Sequence, residues 1–230
     1  MEYGMVITGV TDIRAEPKFE SERDSQLVYG EKVKIIEDGN EYAKVECPDG
    51  VIGYTKRKLI GEYSKRQHKI IKMFKTKDFI LPFGSYINQD DIDYFNIPES
   101  IVRPLNKKYD PVDMAKKFVG TPYLWGGTSN FGFDCSGLTQ RMIRFSLSYE
   151  IPRNSGKQRD KAITINSFED AKKGDLVFFT GHVAFYLGNY KILHANGTYS
   201  RITYTDLNDQ SEYSEKLLKI MVKIGRFEYQ

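Results

Sequence analysis

The chain has only two cysteines, three histidines and one tryptophan in 230 residues. Two cysteines cannot build the disulfide framework of a small secreted scaffold, and without a CxxC pair the three histidines make no structural zinc pattern. Charge of one sign is also scarce: 34 basic side chains face 31 acidic ones, for a net charge of +3. That balance excludes the basic stripe of a dedicated nucleic-acid binder. No apolar run reaches the roughly 18 residues of a membrane span. The opening MEYGMVITGV carries an early acid and no basic stretch, so it does not read as a signal peptide. The expectation is a cytoplasmic protein, or a secreted one if a leader has been removed.

What the chain does have is tyrosine, 16 of them, and a 40% hydrophobic fraction, enough for a real core. Residues 1–63 alternate apolar and polar positions in short runs (MVITGVTDIRAEP, EKVKIIEDG, EYAKVECPDG, VIGYTKRKLI) punctuated by Asp38-Gly39-Asn40 and Pro48-Asp49-Gly50. This pattern predicts a small all-β barrel. Residues 64–108 open on a basic run and continue with DFILPFGSYINQDD, which reads as strand, turn, strand. The expectation there is a second, degenerate barrel, with a linker carrying a hairpin as the alternative.

From residue 109 to 230 the pattern changes. Asp110-Pro111 is an N-cap followed by a proline at the first helical position, Met114, Phe118 and Val119 sit at helical spacing, and Gly120 is placed to stop the helix. Leu138, Met142 and Phe145 share a helical face, after which DLVFFTG, HVAFYLGNYKILHAN and RITYTDL read as strands. Helices followed by an antiparallel meander predict an α+β domain.

Cys135 stands where the second helix should begin. A thiol attacks only as thiolate, and helix-start N–H groups lower its pKa, as does a nearby imidazolium. His182 and His194 flank a hairpin centred near residue 188 or 189, which would set the two rings roughly opposite each other on one face. His182 is then the candidate base for Cys135, with His194 fixing its tautomer. Cys47, inside a predicted strand, and His68, in the basic run, read as packed and exposed bystanders.

Five stretches, GTPYLWGG, FDCSGLTQ, PRNSGKQ, KKGDLVFFTGHVAFYLG and ILHANG, resemble the motifs of NlpC-type, papain-like cell-wall cysteine peptidases over about residues 109–207. The resemblance implies Cys135 as nucleophile, His182 as base, His194 as orienting residue, and Tyr123 near the oxyanion. It implies that Trp125, Asp134, Ser136, Asn154 and Ser155 line the substrate cleft. The N-terminal stretch, with R-x-x-P at Arg14–Pro17 and Y-G-E at Tyr29–Glu31, resembles a bacterial SH3-like domain.

The pairing resembles γ-D-glutamyl-L-diamino acid endopeptidases, in which a barrel closes one end of the cleft and selects peptides with a free N-terminal L-alanine. Glu22 and Tyr54 are the matching candidates for holding that ammonium. The implied fold is a papain-like α+β domain preceded by one or two SH3-like barrels. The implied partner is a peptidoglycan stem peptide, L-Ala-γ-D-Glu-diamino acid, with diaminopimelate or lysine in third position. Neither cofactor nor metal is implied, and a monomer is expected.

Two alternatives stay open: an amide or acyl transferase on the same fold, and a non-catalytic wall-binding module. Asn154 departs from the aspartate usual in the subgroup's PRxS motif. An amide can accept a hydrogen bond but has no charge to pair with an ammonium, so either free-amine selectivity relaxes or Asp134 and Glu22 carry it.

Overall fold

In the computed structural model, which describes residues 2–228, the chain forms two compact units. The first holds residues up to Lys107 together with Trp125–Asn130; the second holds Lys108–Leu124 and the chain from Phe131 onward.

The first unit is built on seven short strands: β1 (Tyr3–Val6), β2 (Val10–Arg14), β3 (Arg23–Val28), β4 (Lys32–Asp38), β5 (Tyr42–Glu46), β6 (Ile52–Lys56) and β7 (Ile60–Glu62). They make one antiparallel sheet in the order β3-β2-β6-β5-β4-β1-β7. Among the described residues it does not close on itself, so the strand-rich region is as expected, but as an open ladder. Alternation does the folding work: β2 and β5 bury every second residue, and Val6, Ile13, Leu27, Val33, Val45 and Ile60 form the core beneath. Each such side chain contributes about 1.5–3 kcal/mol on burial. Cys47 joins this core at 3% exposure, as a packed thiol.

The Y-G-E signature has a physical reason here. Gly30 takes a φ of +79°, and a Cβ there would lie 1.9 Å from the Tyr86 carbonyl oxygen, so only glycine fits. Glu31 is buried, and its carboxylate accepts the Val28 N–H at 2.7 Å.

Residues 64–107 belong to the same unit but are less regular than expected. The strand β8 (His68–Ile70) is flanked by β11 (Tyr86–Ile87) and β12 (Val102–Pro104), while β9 (Phe74–Lys75) pairs with β10 (Ile80–Leu81). The two strands expected in DFILPFGSYINQDD thus exist but pair elsewhere rather than with each other. Its end is a helix, α1 (Gln89–Phe95), started by a capping box in which Asn88 and Asp91 exchange side-chain-to-backbone hydrogen bonds. Asp91 is buried and also takes the Arg66 guanidinium and the Tyr29 hydroxyl, which ties this segment to the first sheet.

The second unit starts with α2 (Pro111–Lys116), capped by Asp110, whose carboxylate accepts the N–H groups of Val112 and Asp113. Val112, Met114 and Ala115 are its buried face; Val119, expected on it, is exposed because the helix ends at Lys116. The short strand β13 (Thr128–Ser129) lies in the first unit, and β14 (Gly132–Phe133) leads into α3 (Cys135–Leu147), the longest helix described. Next come α4 (Ser155–Lys161), β15 (Ile163–Ile165), β16 (Leu176–Phe179), β17 (His182–Gly188), β18 (Lys191–Asn196), β19 (Arg201–Asp206), α5 (Glu212–Lys219) and β20 (Met221–Arg226).

The sheet is antiparallel with the order β15-β20-β16-β17-β18-β19. It departs from a plain meander because α5 carries the chain back and inserts β20 between β15 and β16. Leu138, Met142 and Phe145 of α3 are all buried, and α3 packs on β17 and β18. That packing brings the start of the helix to the start of β17, which is what the chemistry needs.

Candidate active site

Cys135 is the first residue of α3 and is 7% exposed. The helix begins there because Asp134, in extended conformation, caps it: its carboxylate accepts the Gly137 N–H at 2.6 Å. The backbone N–H groups of Ser136 and Val183 face the Cys135 thiol and favour its ionised form. Val183 follows His182, so Cys135 lies near the first residue of β17.

The helix N-terminus alone predicts a depressed thiol pKa, and here the net direction is the opposite. Burial pushes the Cys135 thiol up to about 11, and the Asp134 carboxylate adds to it, against the two N–H groups and Arg153, which pull it down. His182 goes the other way. Burial lowers its imidazole to about 4, opposed by Asp134. Both shifts favour the neutral forms, thiol and imidazole.

His182 and His194 are brought together, with His182 Nε2 2.7 Å from His194 Nδ1 and ring centroids 5.0 Å apart. The register differs from a simple hairpin count. Asn189 and Tyr190 both adopt positive φ, forming a tight two-residue turn of primed type, and the ladder slips between Tyr186 and Gly188. Phe185 pairs with Leu193, so continuing the ladder sets His194 opposite Ala184, two residues beyond His182. A slip of two keeps both rings on one face, and diagonal neighbours stay within reach of long side chains.

His194 is 1% exposed, and burial together with the facing His182 holds its pKa well below the usual imidazole range. With His182 Nε2 engaged, Nδ1 is the ring atom left to accept a proton.

Tyr123 is half-buried, and burial raises its hydroxyl to about 12, with further upward pushes from Cys135 and Asp134. It therefore stays a protonated donor within the field of the nucleophile. Asp134 and Ser136 are buried beside Cys135, and the Ser136 hydroxyl donates to Asp134 at 3.2 Å. Both are clasped by Arg153, which none of the expected site residues included. Its guanidinium makes a fork onto Asp134 at 2.5 and 3.0 Å and a third bond to Ser136 Oγ. The available signal was the arginine inside PRNSGKQ.

Ser155 opens α4, and Asn154 is its exposed N-cap, accepting the Lys157 N–H at 3.2 Å. Asparagine and aspartate cap helices about equally well, so the departure at this position preserves the local structure. Glu22, Tyr54 and Trp125 lie in the first unit. Trp125 is exposed and its indole N–H donates to Glu22 at 2.9 Å, while Tyr54 lines a cavity with Tyr42, Phe19 and Arg14. His68 is partly buried rather than exposed, on β8. No cluster of three or more metal-ligating side chains occurs among the described residues, and no helix there is long and apolar enough to cross a membrane.

A cysteine at a helix start, one histidine on an adjacent strand and a second fixing the first define a papain-like thiol-hydrolase site. Residues 120–222 match the NlpC/P60 family and residues 13–58 match the bacterial dipeptidyl-peptidase SH3 domain. The chain thus carries an NlpC/P60 cysteine-peptidase domain together with a bacterial SH3 domain.

It is 35% identical over 126 residues to the gamma-D-glutamyl-L-lysine dipeptidyl-peptidase of Bacillus cereus, an alignment covering 50% of this chain and 37% of that one. To dipeptidyl-peptidase 6 of Lysinibacillus sphaericus it is 28% identical, with 96% of this chain and 98% of that one aligned. The chain therefore spans little more than a third of the first relative and nearly all of the second. The crystal structure of an NlpC/P60 family protein from Bacillus cereus superposes with a TM-score of 0.80 at 17% identity, covering 98% of this chain and 99% of that one. That likeness extends the fold to both units.

Proposed function

We propose that this chain is a cysteine peptidase that hydrolyses the γ-D-glutamyl–L-diamino acid bond of peptidoglycan stem peptides bearing a free N-terminal L-alanine, in wall turnover or recycling. The observation that carries the reading is a buried cysteine at a helix N-terminus faced by the N–H of Val183, the residue after His182, whose own ring is held by His194. The names of the two relatives above supply the substrate class.

In the reaction the Cys135 thiol gives its proton to His182 Nδ1 and its sulfur attacks the amide carbonyl. The Gly137 and Leu138 N–H groups are already held by Asp134, so the N–H of Cys135 at the helix start, with the Tyr123 hydroxyl, is the candidate donor set for the oxyanion. The imidazolium then protonates the leaving α-amine of the diamino acid. Water, deprotonated by the same ring, releases the dipeptide from the thioester. In the second unit Ser136, Asn154 and Ser155 line the substrate's path, while the Asp134 carboxylate is taken up by the Arg153 fork.

The test is incubation with L-Ala-γ-D-Glu-L-Lys and its diaminopimelate counterpart, with chromatography of the products. Release of L-Ala-D-Glu by the wild type and none by Cys135→Ala is the expected result. Intact peptide with wild type, or equal cleavage by Cys135→Ala, refutes it. An N-acetylated peptide reports on free-amine selectivity, and a new amide formed with an added amino acid would favour the transferase reading.

A further inference from the structure

We propose that Thr205 is a positioning residue for this site: its hydroxyl accepts the Nε2–H of His194 and thereby holds the His194 tautomer that lets His182 act as a base. The proposal deepens the peptidase reading and rests on it for its kinetic consequence, though not for its structural one.

The argument is one of donor bookkeeping. His182 can take the Cys135 proton on Nδ1 only if its own neutral-state proton sits on Nε2. That proton must then be donated to His194 Nδ1, 2.7 Å away, so His194 must carry its proton on Nε2. Two groups face that atom. Thr205 Oγ1 lies 3.0 Å away and can accept. Asn196 Nδ2 lies 3.3 Å away and can only donate.

The orientation of the Asn196 amide is settled by its other contacts. Its oxygen accepts the N–H groups of Thr198 and Tyr199, at 2.8 and 3.2 Å, so its nitrogen must face the histidine. One amide hydrogen is used on the Tyr213 hydroxyl at 2.8 Å. The other would favour the wrong His194 tautomer, with the proton on Nδ1. In that state His182 Nε2 must accept, its proton is driven to Nδ1, and the base is blocked.

The Thr205 hydroxyl can donate or accept, and at 3.0 Å, against 3.3 Å for Asn196, it is the nearer group and the one able to take an Nε2–H. Burial keeps His194 neutral, so the choice is between tautomers and not between charge states. Thr205 is suited to the task by its place on β19. It pairs with Ile192, two residues from His194 on β18, and so reaches the imidazole diagonally across the ladder. It also lines a polar surface cavity with Tyr199, Arg201, Asp209 and Tyr213, where its own hydroxyl proton can meet solvent. That leaves an oxygen lone pair for His194.

The test is long-range proton–nitrogen NMR of the full chain, in which three histidines give a simple spectrum, combined with kinetics of wild type, Thr205→Val and Thr205→Ser. In the wild type His194 shows a protonated Nε2 and a bare Nδ1. Thr205→Val keeps the side-chain shape, moves the His194 proton to Nδ1, and lowers kcat with KM unchanged. The fall is on the order of 10–100-fold, less than the roughly 10⁴ of a fully misassigned catalytic tautomer, because the ring can still exchange. Thr205→Ser restores both the tautomer and kcat.

A wild-type His194 protonated on Nδ1, or a Thr205→Val protein that keeps the Nε2–H form and full kcat, overturns the proposal. If the wild type cleaves no stem peptide, the function reading fails, while the spectra still decide the tautomer.

Discussion

Alkylation of Cys135 by iodoacetamide as a function of pH tests the electrostatics of the site directly. The thiolate is the reacting species, so the rate follows its population. With the thiol at about 11, the thiolate fraction at pH 7 is about 1 in 10⁴, against about 3% for an ordinary cysteine of pKa near 8.5. Cys135 should therefore react roughly 300 times more slowly than a free thiol at that pH, before any steric hindrance. Its rate should climb about tenfold per pH unit until it levels off near pH 11.

Mass mapping separates Cys135 from Cys47, which is packed at 3% exposure. Asp134→Asn removes a charge that raises the thiol pKa and should move the midpoint down. A rate that is instead flat from about pH 5 to 8, with a lower midpoint near 4, would mean a preformed thiolate–imidazolium pair. That result refutes the burial argument.

Three more perturbations probe the frame around the site. Arg153→Met strands the Asp134 carboxylate, 7% exposed, and should cost about 3–5 kcal/mol by urea unfolding, with the double variant Asp134→Asn/Arg153→Met recovering most of it; a loss under about 1 kcal/mol would show that the fork is idle. Asn154→Asp should leave stability within about 0.5 kcal/mol and Asn154→Ala should cost about 1 kcal/mol, since the position serves α4 as a cap; an Asp variant as unstable as the Ala variant contradicts this. Burial lowers the Lys69 ammonium to about 8 from 10.5, so the unfolded chain binds more protons between those values and stability should rise with pH through that window, by about 3 kcal/mol; Lys69→Met should abolish the slope, and an unchanged slope would assign it to another group.

How much of this was legible beforehand depends on whether the signal was local. Asp110 and Pro111 start α2, and Cys135 starts α3, because caps and helix starts are written in neighbouring residues. The shared face of His182 and His194 was legible from parity. The register between them was not, because the slip at Tyr186–Gly188 is a tertiary adjustment of the ladder. The capping box of Asn88 and Asp91 was present in the sequence, but two strand-like runs ahead of it masked the helix.

Arg153 and Thr205 escaped for a common reason. Each acts on a residue far along the chain, one through an ion pair across α3 and the other diagonally across β18 and β19, and nothing beside either residue marks it. The helix start that lowers the Cys135 pKa is visible in the sequence, whereas the burial that raises it is not.

These pieces describe a site whose reactivity is stored in orientation rather than in charge. A buried thiol at about 11 and an imidazole at about 4 are both neutral at pH 7, so neither is activated alone. What the fold supplies is a directed line of hydrogen-bond partners, from His182 through His194 to Thr205. Asp134 sits to one side, its charge clasped by Arg153, so that it caps the helix without adding its full repulsion to a forming thiolate. On this account the proton's path is fixed by which atoms can accept. The far end of the line then matters as much as the near one, because turning Thr205 from acceptor to donor reverses the His194–His182 bond and puts the His182 proton on Nδ1.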